Sequence, residues 1–252
     1  MDGAYPSAPG LSTLTRRVSL IIFVDVWPFW LGLELVAILL TLIVFVLVSP
    51  FMQALVGGAG GGRPVLLVHG YGMSRGSKLV LAWRLARAGV GPIRFAAYWS
   101  FAPLDRSAIR IARAARDLAD ATGVPRVDVV AHSMGGIVAR SARLLPAGAA
   151  IGRVITLGTP HRGVFWRHLP LLGPMTRAMQ PGTMGPCEPG DLAICGRLDF
   201  IIPWRHATLD APGDTHILES VGHAGLLVDR RVADRVIRHL ADDRRATAAR
   251  AA

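Results

Sequence analysis

A serine stands within the segment VVAHSMGG in a setting where its hydroxyl could act as a nucleophile. The segment leads from an alternating apolar strand into a helix through a sharp turn, and Ser133 is at the apex of that turn. Such a turn requires small residues two positions away on either side, which Ala131 and Gly135 provide. Ala131 replaces the more common first glycine of the G-x-S-x-G pattern, and Gly136 lets the helix approach the sheet. The segment therefore predicts a nucleophile elbow.

A serine hydroxyl needs a base that accepts its proton and a third group that orients the base. In hydrolases with this elbow, the acid and then the histidine follow the serine along the chain. His223 follows a predicted strand and precedes the last predicted helix, and Asp199 comes just after the preceding strand. Asp210 and Asp214 are alternative acids that lie deeper in the connecting loop. We therefore predict a catalytic triad of Ser133, Asp199 and His223.

The same chemistry needs two backbone N–H groups that stabilise the negative oxygen of the reaction intermediate. Met134, directly after the serine, is expected to supply one of them. The second is expected from the loop after the first strand of the domain, where the segment VHGYG stands. In that loop Gly70 and Gly72 permit the bend, and the N–H of Tyr71 is the predicted donor. The phenol ring of Tyr71 is expected to form a pocket wall.

Strand-like and helix-like segments alternate from Arg63 onward, which predicts a mostly parallel sheet with helices on its faces. The predicted strands are RPVLLVHG, IRFAAYW, RVDVVAH, RVITLGTP, DLAICG and HILESVG. The predicted helices are LVLAWRLARAGV, DRSAIRIARAARDLADATG, residues 134–145 and DRRVADRVIRHL. In the second of these helices, Asp105 is the predicted N-cap and Gly123 follows the last turn.

Five of these segments carry a resemblance to a known family: LLVHGYG, VAHSMGG, ITLGTPHRG, RLDFIIP and VGHAGLL. Together and in this order, over residues 63–240, the chain resembles the small bacterial triacylglycerol lipases and carboxylesterases of the α/β-hydrolase superfamily. The resemblance implies the α/β-hydrolase fold and the hydrolysis of carboxylic esters or lipids through an acyl-enzyme. It also implies that neither a metal nor an organic cofactor takes part.

One long apolar stretch, residues 18–48, accounts for most of the high mean hydropathy of +0.41. A membrane-spanning helix needs about 20 mainly apolar residues. Residues 29–48 supply that length, with Glu34 as their only charge. Because Arg16 and Arg17 precede the stretch, the positive-inside rule places the N-terminus in the cytoplasm and the remainder outside. We expect a single-pass, uncleaved signal anchor that holds the protein in the membrane.

Two other interpretations of the apolar stretch stay open. It is too short for two full spans, but a shallow hairpin kinked at Pro28 would fit within it. A cleaved signal peptide would also be apolar here, although no small-x-small cleavage site follows LVSP. Asp25 and Glu34 are expected to lie near the membrane interface.

These features predict a division of the chain into five parts. They are a cytoplasmic or interfacial segment (1–28), the transmembrane anchor (29–50), a glycine-rich linker (51–62), the catalytic domain (63–241) and a flexible tail (242–252). Within the catalytic domain, residues 163–190 carry many apolar side chains, which predicts a cap over an acyl pocket. A short helix packed on the core is the alternative. The apolar residues are Trp166, Leu169, Leu171, Leu172, Met175 and Met179.

The chain has two cysteines, Cys187 and Cys195. Outside the cytoplasm we expect them to form a disulfide that closes a small loop just before Asp199. Two free thiols are the alternative. His69, His132 and His161 lie inside the hydrolase motifs and are expected to be packing and hydrogen-bonding residues.

Charge and spacing argue against several other functions. The net charge of +11 comes almost wholly from arginine, without the aromatic interleaving or zinc-finger spacing of a nucleic-acid-binding protein. The remaining histidines do not have the spacing of metal ligands. A channel or transporter component is excluded because only one membrane span is evident in the sequence. No segment indicates a particular protein partner. An acyltransferase that uses the same triad, and a membrane-tethered binding protein with a vestigial triad, remain as alternatives.

Overall fold

The computed structural model describes residues 62–164 and 184–251, together with seven helical positions between residues 32 and 43. Side chains are described as far as residue 241. Apart from those seven positions, the predicted anchor at 29–50 lies outside the described residues, as do most of the linker and most of the predicted cap. No helix in the described ranges has the length and apolar character needed to cross a membrane.

One sheet of six parallel strands forms the centre of the domain, in the order β2–β1–β3–β4–β5–β6. The strands are β1 (Val65–Val68), β2 (Ile93–Ala96), β3 (Val127–His132), β4 (Ile151–Leu157), β5 (Leu192–Gly196) and β6 (Asp214–Leu218). Each overlaps one of the predicted strands. Most are short runs rich in Val, Ile and Leu that are buried along their length, as expected for parallel strands covered on both faces.

Helices cover both faces of the sheet. They are α1 (Leu79–Arg87), α2 (Leu104–Thr122), α3 (Met134–Arg143) and α4 (Arg230–Ala251). Short 3-10 turns lie at Arg75–Lys78, Pro146–Ala150, Trp204–His206 and Gly225–Leu227. One hydrophobic cluster joins α2 and α3 to the sheet and a second joins α1 and α4 to its other face. This arrangement confirms the predicted parallel sheet with flanking helices.

Side-chain alternation in β1 divides the two clusters. Leu66 and Val68 pack with α2 and α3, whereas Val65 and Leu67 pack with α1 and α4. Successive side chains of a strand point to opposite faces, so a strand covered on both sides must be apolar at every position. β1 is therefore a fully buried central strand, and the loop that follows it is held at a fixed place.

Two helix ends differ from the sequence-based predictions. Pro103 is the N-cap of α2, and Asp105 lies inside the first turn, where a carboxylate interacts favourably with the positive end of the helix dipole. Gly123 ends α2 in the left-handed conformation, with φ of 68°, as predicted. The last helix continues to Ala251, so the tail predicted to be flexible is helical, as its Ala and Arg content favours.

The predicted disulfide is wrong, because Cys187 and Cys195 are both free thiols. A turn at 188–191 separates Cys187 from β5, and the Asp191 N–H donates to the Glu188 carbonyl there. Each strand residue advances the chain by about 3.3 Å, so β5 carries Cys195 away from that turn. The Cys195 thiol instead lies 3.3 Å from the Ala207 carbonyl, and burial raises its pKa to about 12.

The order of the strands fixes where a site can form. The chain passes from β1 outward to β2 and then returns to the other side of β1 as β3. The loops after β1 and β3 therefore diverge at the edge where the strands end. In open parallel sheets, a crevice at such a switch point is the usual place for a ligand. Ser133 directly follows β3 at this point.

Candidate active site

Ser133 occupies a strained turn between β3 and α3. Its backbone angles are φ 51° and ψ −127°, and no other non-glycine residue in the described part of the chain has a positive φ. Such a conformation persists only where surrounding contacts hold it. The Ser133 N–H donates to the Leu157 carbonyl at 2.8 Å, and the Thr159 hydroxyl donates to the Ser133 carbonyl at 2.7 Å. The end of β4 thus holds the serine in one position.

Two glycines after Met134 let α3 approach the neighbouring backbone. A β-carbon at Gly135 would lie 2.3 Å from the His69 carbonyl oxygen. A β-carbon at Gly136 would lie 2.1 Å from the Thr159 hydroxyl oxygen. Both distances are far inside van der Waals contact, so neither position has room for a side chain. The small residues of the elbow are required for close packing of α3 against the loops around Ser133.

Asp199 and His223 form a buried, hydrogen-bonded pair. Asp199 Oδ2 lies 2.7 Å from His223 Nδ1. The other carboxylate oxygen accepts hydrogen bonds from the backbone N–H groups of Ile201 and Ile202 at 3.1 and 2.6 Å. An ionised carboxylate only accepts hydrogen bonds, so the proton of the imidazole lies on Nδ1 and Nε2 keeps its lone pair. His223 is therefore in the tautomer that a general base needs.

Gly158 brings this pair next to the serine. It follows Leu157, whose carbonyl binds the Ser133 N–H. A β-carbon at Gly158 would lie 3.0 Å from Asp199 Oδ2 and 3.1 Å from His223 Nδ1, and its φ is +58°. The three residues of the predicted triad therefore gather around the end of β4. Sequence reasoning missed Gly158, although a glycine directly after a strand, in TLGTP, is a signal for such a close approach.

The loop after β1 passes along another side of Ser133. A β-carbon at Gly70 would lie 3.1 Å from Ser133 Cβ, and Gly72 has a φ of +62°. Tyr71 lies between these glycines. Met134 is the first residue of α3, and the first N–H groups of a helix have no carbonyl partner within it. Both residues predicted to donate to an oxyanion are therefore on backbone that flanks the serine.

His69 fastens the loop after β1 to the end of β2. Its Nδ1 lies 2.9 Å from the Gly70 carbonyl, and its Nε2 lies 3.4 Å from the Tyr98 N–H group. The two rings stack with centroids 4.5 Å apart, and the Tyr98 hydroxyl donates to the His69 carbonyl at 2.9 Å. Burial lowers the pKa of His69 to about 4, so the ring is neutral near pH 7. These contacts support the loop.

Three aromatic side chains lie beside this loop at the surface. Tyr71 and Phe101 meet edge to face with ring centroids 5.2 Å apart, and Trp99 lies 5.4 Å from Phe101. Trp99 and Phe101 are exposed by 68% and 54%. Of these three rings, sequence reasoning assigned only Tyr71 to the pocket, although the segment AAYWSFAP after β2 carries the other two. An apolar surface thus adjoins the predicted oxyanion loop.

His161 lies in a buried network behind α3. Arg140 donates to its Nδ1 at 2.9 Å, and its Nε2 lies 2.9 Å from the Thr156 hydroxyl. Burial, and then the positive charge of Arg140, lower its pKa to about 3. Arg140 also donates to the Gly185 carbonyl. Both ring nitrogens of His161 are therefore occupied within the interior.

Several solved structures share this architecture, and a lipase is among them. The chain matches a family model described as the PGAP1-like alpha/beta domain over residues 110–168. The mature form of the lipase BlEst2 from Bacillus licheniformis is 18% identical, with a TM-score of 0.58; the alignment covers 72% of this chain and 92% of the lipase. Rv0554 from Mycobacterium tuberculosis is 14% identical, with a TM-score of 0.53, over 73% of this chain and 91% of that protein.

A third structure, the lin2722 gene product of Listeria innocua, is 17% identical with a TM-score of 0.51, over 70% of this chain and 92% of its own. The chain has the α/β-hydrolase fold. At these identities the likeness establishes the fold, and the chemistry must be argued from the side chains.

The alternative acids of the sequence analysis lie elsewhere in the α/β-hydrolase fold. Asp210 is largely exposed and pairs with Arg162 at 2.6 Å on the surface. Asp214 begins β6, at the edge of the sheet where the strands start. Neither is hydrogen-bonded to His223 in the described contacts, whereas Asp199 is.

A cavity of about 620 Å³ opens at the edge of the sheet opposite Ser133. Its lining is mostly polar and includes Arg63, Arg126, Arg153, Glu188, Asp214 and Arg235. Its location excludes it as the place where Ser133 meets a substrate. Among the described residues, no group of His, Cys, Asp and Glu is arranged to hold a metal ion.

The side chains predicted to form the cap fall outside the described residues. They are Trp166, Leu169, Leu171, Leu172, Met175 and Met179. The described chain stops at Val164 and resumes at Met184, which packs against the cluster on the α2 and α3 face of the sheet.

Proposed function

We propose that the protein is a membrane-anchored serine hydrolase that cleaves carboxylic esters through an acyl-enzyme. The observation that carries this proposal is the buried 2.7 Å hydrogen bond between Asp199 and His223, beside the strained turn of Ser133. A nucleophile, a base in the correct tautomer and an orienting carboxylate are the three parts that this chemistry requires.

In the proposed reaction, the Ser133 hydroxyl oxygen attacks the carbonyl carbon of the ester while His223 Nε2 accepts the hydroxyl proton. The tetrahedral intermediate then collapses, and the imidazolium of His223 gives that proton to the departing alcohol. The acyl group remains on Ser133 as an ester. A water molecule, activated by His223, attacks this acyl-enzyme and releases the carboxylic acid.

Asp199 orients the base and stabilises its charged form. Its second oxygen is held by two backbone N–H groups, so the carboxylate is fixed before His223 becomes positive. The negative oxygen of the intermediate would bind the N–H groups of Met134 and Tyr71. A pair of fixed donors contributes several kcal/mol to such reactions, since removing one donor costs about 3 kcal/mol.

The substrate is expected to carry an apolar acyl chain. The exposed rings of Trp99 and Phe101 continue outward from Tyr71, so an alkyl chain bound at Ser133 would find aromatic surface beside it. If the residues predicted as a cap lie over this surface, Trp166, Leu172 and Met175 add further apolar contacts. This favours a lipase or esterase of apolar esters over a hydrolase of small polar esters.

The membrane anchor rests on the N-terminal apolar stretch. Seven positions between residues 32 and 43 are helical, and the apolar side chains among them are about half exposed. They are Leu33, Leu35, Val36, Leu39, Leu40 and Ile43. Exposed leucines on a helix within a long apolar segment are the pattern that a lipid environment covers. We propose that this segment anchors the protein, with the catalytic domain on the extracytoplasmic side.

The proposal is tested by ester hydrolysis with the full chain in detergent micelles. p-Nitrophenyl esters from acetate to palmitate are offered to the native protein and to Ser133→Ala. We expect turnover that falls at least about 10³-fold in the variant, because the nucleophile is removed. The chain length with the highest kcat/KM identifies an esterase or a lipase.

Ser107→Ala serves as a matched control, because the Ser107 hydroxyl is also buried and belongs neither to the predicted triad nor to the predicted oxyanion loop. Equal rates for the native protein and Ser133→Ala, or no turnover across the series, would contradict the proposal. Adding an alcohol acceptor and measuring the new ester against the free acid tells transfer from hydrolysis.

A further inference from the structure

His132 connects the proposed base to the interior of the domain. Its Nε2 lies 3.2 Å from the His223 carbonyl oxygen, and the two imidazole rings meet with centroids 4.6 Å apart at 49°. A carbonyl oxygen only accepts hydrogen bonds, so Nε2 of the neutral His132 ring must carry the proton. Its Nδ1 is then a lone-pair acceptor.

That acceptor is buried without a partner. His132 Nδ1 makes no hydrogen bond to the described residues, and it faces the loop after β1, where a β-carbon at Gly70 would lie 2.9 Å away. Buried acceptors are rarely left unpaired, because their lost hydration is costly. A donor is therefore expected on the loop side of the His132 ring.

Lys78 is a buried donor that also lacks a partner. It ends the 3-10 turn Arg75–Lys78 that follows the loop after β1, and its side chain is completely buried. Its Nζ makes no hydrogen bond to any described residue. The turn that carries Lys78 packs against β1, the strand that pairs with β3 and so neighbours the end of β3 at His132. In agreement with that placement, burial, then the charge of His223, then that of Lys78 lower the pKa of His132.

We infer that one buried water joins the Lys78 amine to His132 Nδ1 by hydrogen bonds, and that His132 thereby acts as a positioning residue for His223. The donor fixes His132 in the tautomer whose Nε2–H binds the His223 carbonyl. His132 then holds the backbone of the base from behind while Asp199 holds its ring from the side. The positioning role rests on the proposed function, whereas the hydrogen bond does not.

Both supporting groups must stay uncharged for this arrangement to help the reaction. His223 becomes positive in the transition state, and a second positive charge on the adjoining His132 ring would oppose it. The ionisable groups around His132 are His223, Lys78 and His69, and Asp199 pairs with His223. Burial lowers the pKa of Lys78 well below its usual value, so a neutral amine that still has N–H donors is consistent with the site.

The hydrogen bond can be tested by nitrogen NMR, because Lys78 is the chain's one lysine. The full chain in micelles, labelled with ¹⁵N-lysine, should give a single side-chain signal typical of a neutral amine at pH 7. ¹⁵N-histidine labelling should show His132 protonated at Nε2. His132→Phe should shift the lysine signal, whereas Ser107→Ala should leave it unchanged. An Nδ1-protonated His132, or a lysine signal that does not respond to His132→Phe, would overturn the inference.

Kinetics test the positioning role. His132→Gln keeps an N–H where Nε2 was, whereas His132→Phe keeps the ring volume and loses the donor. We expect His132→Phe and Lys78→Met to lower kcat about tenfold with KM within twofold, and His132→Gln to stay within about threefold of the native kcat. If His132 only fills space in the interior, His132→Phe should keep a higher kcat than His132→Gln. That result would contradict a positioning role.

Failure of this inference and failure of the proposed function are distinguishable. If the native protein and Ser133→Ala hydrolyse esters equally, the proposed function fails, and the NMR signals still decide whether Lys78 and His132 are hydrogen-bonded. If Ser133→Ala is inactive and His132→Phe is as active as the native protein, the proposed function stands and the positioning role is contradicted.

Discussion

The two edges of the sheet hold their buried polar groups in opposite ways. Where the strands begin, buried carboxylates are paired with arginines. Asp128 lies 2.6 Å from Arg153, and Asp191 accepts two hydrogen bonds from Arg143 at 2.9 and 2.7 Å. Where the strands end, most of the buried ionisable groups are histidines. They are His69, His132, His161 and His223.

The buried groups at one edge of the sheet stabilise the fold, whereas those at the other edge are arranged as in a functional site. A paired buried charge stabilises little beyond an apolar substitute, but removing one partner is severely destabilising. The arginine pairs therefore lock the loops at the edge where the strands begin. At the other edge burial keeps His69, His132 and His161 neutral, polar atoms of His132 and Lys78 have no partner among the described residues, and Ser133 is held in a strained turn. Such features are costly, and they are typical of functional sites.

The largest expected effect comes from Asp199→Asn, at the edge of the sheet that holds the candidate site. An asparagine amide can donate to His223 Nδ1 and so favours the tautomer that cannot act as a base. We expect kcat for a p-nitrophenyl ester to fall about 10³- to 10⁴-fold, as loss of the correct tautomer does in other triads. A decrease of less than tenfold would show that Asp199 is not the orienting acid.

Asp191→Asn is the matched change at the opposite edge. Asp191 is as deeply buried as Asp199, and it also accepts hydrogen bonds from the N–H groups of Val154 and Glu188 at 2.8 and 2.9 Å. Neutralising it leaves the buried Arg143 guanidinium with only the partly exposed carboxylate of Glu188, 3.6 Å away, which should lower the free energy of unfolding by about 3 kcal/mol. Urea unfolding followed by tryptophan fluorescence measures this. The kcat of the folded protein should stay within twofold of the native value. A large loss of kcat would show that Asp191 also supports the reaction, so that the two edges of the sheet would not differ as described.

Gly158→Ala should impair both stability and activity. The new methyl group would lie within 3.1 Å of Asp199 Oδ2 and His223 Nδ1, at a φ of +58°. We expect kcat to fall about 10- to 100-fold because the pair is displaced. Gly123→Ala is the control, since Gly123 has a φ of +68° and open space around it. It should cost about 1 kcal/mol of stability and leave kcat unchanged. Equal kcat values for the two variants would count against this placement of Gly158.

The smallest expected effect, counted per unit of pH, is the pH dependence of stability that a buried histidine causes. His161 has a pKa lowered from 6.5 to about 3 in the folded protein. The unfolded chain therefore binds more protons between these values, so this contribution is complete above pH 6.5 and is lost as the pH falls. His161→Gln should reduce the slope of unfolding free energy against pH by up to about 1.4 kcal/mol per pH unit. If the free energy of unfolding changed with pH equally in the native protein and in His161→Gln, His161 would not be held neutral by burial.

Local patterns predicted the strands well, because a short apolar run such as VLLV or VDVVAH is typical of a parallel strand that is buried on both faces. The strand-turn-helix around Ser133 could be predicted for the same reason, since the turn and its small neighbours are contiguous. The prediction of Asp199 and His223 relied on the order in which the acid and the histidine follow the serine in hydrolases with this elbow. The structure puts these two residues in hydrogen-bonding contact, and their catalytic roles stay predictions.

Features built from distant segments could not be predicted. Gly158, His132 and Lys78 gain their importance from residues far away in the sequence; His132 and His223, for example, are 91 positions apart. The disulfide failed for the same reason, because closeness in sequence did not reveal that β5 turns the Cys195 thiol towards Ala207. Pairing across the sheet decides these contacts.

Covalent labelling tests most directly whether Ser133 is an activated nucleophile. The full chain in micelles is treated with a fluorophosphonate, and the modified peptide is identified by mass spectrometry. We expect one adduct, on the peptide that contains Ser133, and a labelling rate that falls at least about 100-fold in His223→Gln. No adduct on Ser133, or labelling that is equally fast in His223→Gln, would contradict an activated serine at this site.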